Sequence, residues 1–111
     1  LTPQAFDAAA MALPGVTKVV QWGGSDVYKV GGKIFAIAGD GVVSFKATDL
    51  AFEVLVEAGW ARPAPYLARA KWLAFDDLAE LDETEVADWL ATAHQLVAAK
   101  LTRRLRAELG L

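Results

Sequence analysis

Cysteine is absent from this sequence, histidine and methionine occur once each, and no apolar run approaches the roughly 18 residues that a membrane-spanning helix requires. Each absence closes off a class of chemistry. Without thiols there is no disulfide framework, thiolate zinc site, iron–sulfur cluster or cysteine nucleophile. A single imidazole, His94, excludes multi-histidine metal sites and leaves one group for acid or base work. Asp7 interrupts the first apolar stretch, where a signal peptide would carry its hydrophobic segment. The expectation is a soluble, cytoplasmic protein without a membrane partner. Positive charge is not in excess either. Eleven basic side chains against fourteen acidic ones give a net charge of −3, which argues against unselective nucleic-acid binding over the whole surface.

What is present is a chain of 111 residues, 55% of them apolar, long enough for one domain spanning 1–111 with a core that needs no staples. Thr2-Pro3 reads as an N-cap followed by proline in the first helical turn, and Ala5, Phe6, Ala9, Ala10 and Leu13 follow at helical spacing until Pro14-Gly15. From Val16 to Ala47 the period falls to two, punctuated by Gly23-Gly24, Gly31-Gly32 and Gly39-Asp40-Gly41, which predicts a four-stranded antiparallel meander. Two-residue turns are expected at the first two hairpins. At the third, a three-residue loop pairs Phe35 with Phe45 and Ile37 with Val43, placing Val19, Tyr28, Val30, Phe35, Ile37, Val43 and Phe45 on the face that meets the helices. Thr48 or Asp49 caps a second helix to about Ala58, with Leu50, Val54, Leu55 and Ala58 on one side. After a proline-bearing loop, Lys71–Phe75 reads as a fifth strand. A long final helix follows, opened by a capping box of Asp82 and Glu85 and a Leu81–Val86 staple, and running to Gly110. The predicted class is α+β, a two-layer sandwich with an antiparallel sheet and helices on one face, in the order α-β-β-β-β-α-β-α.

Four features carry unbalanced charge. On the registers above, Lys18, Lys29 and Lys46 fall in a row across the outer sheet face, either as solubilising groups or as an anion site. Val20, Trp22 and Val27 share that face and offer a protein contact surface instead. The loop from Trp60 to Trp72 holds Arg62, Arg69 and Lys71 with no acid, interleaved with Tyr66 and Trp72; cations beside aromatics can hold phosphates and stack on bases. Asp76, Asp77, Glu80, Asp82, Glu83, Glu85 and Asp88 form an acidic run whose simplest roles are capping and dipole complementarity, with cation binding as the alternative. Lys100, Arg103, Arg104 and Arg106 read as the mirror image at a helix C-terminus. No Gly-x-Ser-x-Gly elbow or phosphate-cradling glycine loop is present, so neither an enzyme nor a cofactor is expected.

Several blocks, taken in order and spacing, resemble the MmcQ/YjbR family of small bacterial proteins. They are Pro14-Gly15; Tyr28-Lys29-Val30-Gly31-Gly32-Lys33-Ile34-Phe35-Ala36; Val43-Ser44-Phe45-Lys46-Ala47; and Arg62-Pro63 with Tyr66-Leu67-Ala68-Arg69-Ala70-Lys71-Trp72. The resemblance implies a frataxin/CyaY-like sandwich and a "double wing" DNA-binding protein. Through the matching blocks it points to Lys33, Phe35, Ala36, Lys46, Tyr66, Arg69 and Trp72. The chain departs from the family pattern at Tyr66, Ala68 and Lys71, where His, Asn and His are usual; positive charge is kept while polar acid–base groups are lost. The expectation is a DNA-backbone binder of low specificity using Lys18, Lys29, Lys33, Lys46, Arg62, Tyr66, Arg69, Lys71 and Trp72, with no catalytic residue and no metal. A protein–protein adaptor and frataxin-like cation binding by residues 76–88 are the alternatives.

Overall fold

The computed structural model describes residues 1–65 and 67–111. Helix α1, Pro3–Met11, opens as its sequence predicts, with the Thr2 hydroxyl accepting from Ala5 N. Strands β1 (Val16–Gln21), β2 (Ser25–Val30), β3 (Lys33–Gly39) and β4 (Val42–Lys46) form the meander. Helix α2, Asp49–Glu57, is capped by Thr48. A two-residue strand β5, Arg62–Pro63, and then β6, Trp72–Phe75, complete a six-stranded antiparallel sheet in the order β1-β2-β3-β4-β6-β5. The helices α3 (Glu83–Ala98) and α4 (Arg103–Glu108) follow. The result is an α+β sandwich with α1, α2 and α3 packed on one face of the sheet.

Two of the three hairpin registers differ from expectation. The first loop has three residues, because Gln21 pairs with Ser25. The third has two, because Gly39 pairs with Val42, and Asp40 and Gly41 have φ of 52° and 74°. That is the type I′ geometry whose twist suits a hairpin. Phe45 therefore faces Ala36. The large aromatic Phe35 still reaches the core because a bulge intervenes: Tyr28 pairs with Ala36 but Lys29 with Ile34, leaving Phe35 without a partner on β2. A bulge re-aims one side chain, so Phe35 and Ala36 both join the core. Ile37 and Val19 lie on the outer face instead, opposite Val27.

The core beneath the helices contains Phe6, Tyr28, Phe35, Phe45, Leu73, Phe75, Val86 and Leu90. Phe75 stacks on Trp89 at 5.3 Å and on Phe45 at 5.5 Å between ring centroids. A smaller cluster of Ala64, Trp72 and Ala74 forms on the other face, packed by Leu67 from the connection and by Ile34, Ile37 and Val42 of β3 and β4. Two helix expectations are corrected. In α2 the packed side is Ala51, Phe52, Leu55 and Val56, while Leu50 and Val54 are 72% and 54% exposed. The final helix breaks after Ala98, since Thr102 caps a separate α4 through Leu105 N at 3.1 Å. Arg103 and Arg104 thus open a helix rather than close one, and dipole complementarity does not explain them.

Candidate nucleic-acid interface

The expected row of lysines across the outer sheet face does not form. With the first hairpin shifted by one residue, Lys18 pairs with Tyr28 and Thr17 with Lys29, and an odd shift sends a side chain to the opposite face. Lys18 instead donates to Asp7 of α1 at 2.8 Å, which raises its pKa. Val20 likewise leaves the face of Val27, since it pairs with Asp26, and Val27 itself is buried. Arg62 is held by Asp76 through two bonds, Nε–Oδ2 at 2.7 Å and Nη2–Oδ1 at 2.8 Å. That pairing raises the arginine's pKa and lowers the carboxyl's. Trp72 is 5% exposed inside the outer cluster and presents no ring face to a base. Tyr66 lies outside the described residues.

The remaining predicted cations converge, because alternate strands of an antiparallel sheet end and begin together. Lys29 and Lys33 flank the β2–β3 turn, Lys46 ends β4, and Lys71 immediately precedes β6. Lys46 sits opposite Trp72, and Ala47 N donates to Lys71 O at 2.9 Å. The short 3-10 turn Ala68–Ala70, which carries Arg69, comes to the same end through a bond from Lys46 Nζ to the Ala70 carbonyl. Lys71 Nζ lies 5.0 Å from the centroid of the Phe52 ring, a cation–π contact.

Lys100 belongs here too, although the sequence places it in the C-terminal tail. α3 runs the length of the sheet and delivers its C-terminus beside the β2–β3 turn. A Cβ placed on Gly31 would meet Leu101 at 2.7 Å and Leu105 at 3.2 Å. Burial first, and Lys100 second, hold the Lys46 ammonium below its usual pKa, with Asp49 opposing them. Nothing in local sequence signals this neighbour, since 54 positions separate the two lysines. Among the described residues, none of Lys29, Lys33, Lys46, Arg69, Lys71, Lys100 and Arg103 makes an ion pair.

The acidic segment occupies the opposite end, where β6 finishes and α3 begins. Its carboxylates have local work: Asp76 binds Arg62, Asp77 accepts from Ala79 N at 3.2 Å, and Asp82 caps α3 through Glu85 N at 3.0 Å. Among the described residues no group of three or more His, Asp or Glu side chains is placed to hold a metal ion. Nor is any helix long and apolar enough to cross a membrane.

A family model described as YjbR matches residues 11–96. The chain belongs to the YjbR family. The YjbR match takes in the whole sheet with Lys29, Lys33, Lys46, Arg69 and Lys71, and stops before Lys100 and Arg103. The crystal structure of Deinococcus radiodurans protein DR2400, which holds a domain of the DUF419 family, as the YjbR/MmcQ family is also called, is similar at a TM-score of 0.85. The likeness covers 99% of this chain and 88% of that one at 22% identity. Identity this low speaks for a shared fold alone. No curated protein matches the chain.

Proposed function

We propose that this YjbR-family chain is a cytoplasmic binding protein, not an enzyme, that engages nucleic-acid backbone through the basic end of its sheet. The observation that carries this reading is the gathering of Lys29, Lys33, Lys46, Lys71 and Lys100 at one end without carboxylate partners among the described residues. Lysines held near one another repel, and a phosphate between Lys46 and Lys100 relieves that repulsion while releasing counterions. Contact is to backbone and carries little base readout. Stacking by Trp72 has no part in it, because the ring is buried.

Fluorescence polarisation of a labelled duplex tests this. Four to five phosphate contacts should cost about two orders of magnitude in affinity between ~50 and ~200 mM salt. Lys33→Glu with Lys100→Glu should weaken binding at least about tenfold and flatten the salt slope, whereas Lys18→Gln, already neutralised by Asp7, should change little. Binding indifferent to salt or to the double reversal would overturn the proposal.

A second reading rests on the free edge of the sheet, where Val20 and Trp22 are 63% and 64% exposed. An apolar edge invites a protein partner. Sedimentation of the chain beside Val20→Lys/Trp22→Ser tests it: concentration-dependent association lost in the variant supports an adaptor role, and a monomer at every concentration removes self-association from it.

A further inference from the structure

The carbonyl of Pro14, between α1 and β1, reaches α3 and meets the one imidazole of the chain, with His94 Nε2 2.7 Å from Pro14 O. A carbonyl only accepts, so Nε2 carries a proton, and in the neutral form of the ring Nδ1 is left as an acceptor. His94 is 5% exposed, and its ring is steadied by Phe35 at 5.5 Å and 85°. Nδ1 has no hydrogen-bond partner among the described residues, yet no occluded side-chain nitrogen or oxygen there lacks one. The small exposed remainder of His94 must therefore include Nδ1.

His94 lines a shallow, open cleft of about 380 Å³ between the α1–β1 connection, α3 and α4. Its walls are largely apolar, with Leu13, Pro14, Ala91 and Ala98 among them, and α4 contributes Arg106. Among the described residues Arg106 makes no ion pair. One guanidinium, one nearly buried acceptor nitrogen and apolar walls are the ingredients of a small-ligand site: a greasy body displaces water and a few polar groups orient it. A guanidinium favours a carboxylate, which it can hold through two parallel bonds. An unprotonated ring nitrogen asks for a hydroxyl.

We propose that this cleft binds a small carboxylic acid with an apolar body, its carboxylate on Arg106 and a neighbouring hydroxyl donating to His94 Nδ1. The site adjoins the basic end of the sheet, since Ala98 and Ala99 in its wall precede Lys100, but it uses none of Lys29, Lys33, Lys46, Lys71 or Lys100, so the two proposals are tested by different ligands.

Mandelate, with a carboxylate, an adjacent hydroxyl and a phenyl group, is the probe. Phenylacetate lacks the hydroxyl, and benzylamine replaces the acid by a cation. In NMR titrations of the full chain, mandelate should shift the amides around Leu13, Gln95 and Ala98, and should shift the His94 ring nitrogens more than phenylacetate does. Arg106→Gln, a partly exposed position, should weaken mandelate about tenfold or more while leaving the spectrum of the sheet in place. Absence of shifts up to about 10 mM, equal binding of benzylamine, or an affinity untouched by Arg106→Gln overturns the site. A His94 ring that responds identically to mandelate and phenylacetate overturns the role of Nδ1.

Discussion

Asp7 shows how much one side chain can organise. Its Oδ1 accepts from Lys18 Nζ at 2.8 Å and from the Tyr28 hydroxyl at 2.7 Å, joining α1 to β1 and β2. The Lys18 bond, then the Tyr28 bond, holds the carboxyl below its usual pKa. Burial first, and Asp7 second, raises that of the Tyr28 hydroxyl. A carboxyl whose folded pKa is depressed contributes stability that is present above its unfolded value, near 3.9, and is lost as pH falls through the folded one. Urea unfolding followed from about pH 6 to pH 2 should thus show a steeper acid loss in the native chain than in Asp7→Asn. Tyr28→Phe keeps the packing and should cost about 1–2 kcal/mol at neutral pH, read from the same urea midpoints. Lys46 is shifted in the same direction, but for a cation that shift disfavours the charged form. Its lowered pKa means that the charged ammonium costs stability, and the cost disappears as pH rises through the folded value.

At the scale of elements, the helix caps and most core faces were legible, whereas two hairpin registers and the packed side of α2 were not. Thr2, Thr48 and Asp82 cap the helices that their sequences announce, because a cap is settled within four residues. Thr102 does the same for α4, and an apolar stripe continuing through Val97 and Leu101 hides it. Thr102→Ala should cost about 1 kcal/mol in thermal or urea unfolding. Hairpin register depends on turn length, and a one-residue difference reverses every side chain; the bulge at Phe35 then absorbs the mismatch. In α2 the apolar residues surround much of the helix, so composition alone does not choose which side is packed. Leu50→Gln and Val54→Gln should therefore leave stability within about 0.5 kcal/mol, while Leu55→Ala should lose about 2 kcal/mol or more, measured by urea denaturation.

Across the whole molecule, charge is sorted by the direction of the strands and of α3. Glu83 and Glu85 begin a 16-residue helix, so its other end lies about 24 Å away, beside Lys46 and Lys100. A net charge of −3 conceals this polarity. Amide shifts induced by a short duplex should accordingly cluster around the β2–β3 turn, Lys46, Lys71 and Lys100, and spare Asp77, Glu80 and Glu83; an NMR titration at low salt checks the map. Composition, periodicity and capping residues by themselves determined the α+β class, the meander, the starts of α1, α2 and α3 and the absence of thiol chemistry, since each depends on neighbours within a turn or a hairpin. Only the tertiary structure decided that Lys18 and Arg62 are neutralised, that Trp72 is buried, and that Lys46 and Lys100 are neighbours. Those outcomes depend on register and on contacts between residues far apart in the chain, where a shift of one position exchanges core for solvent.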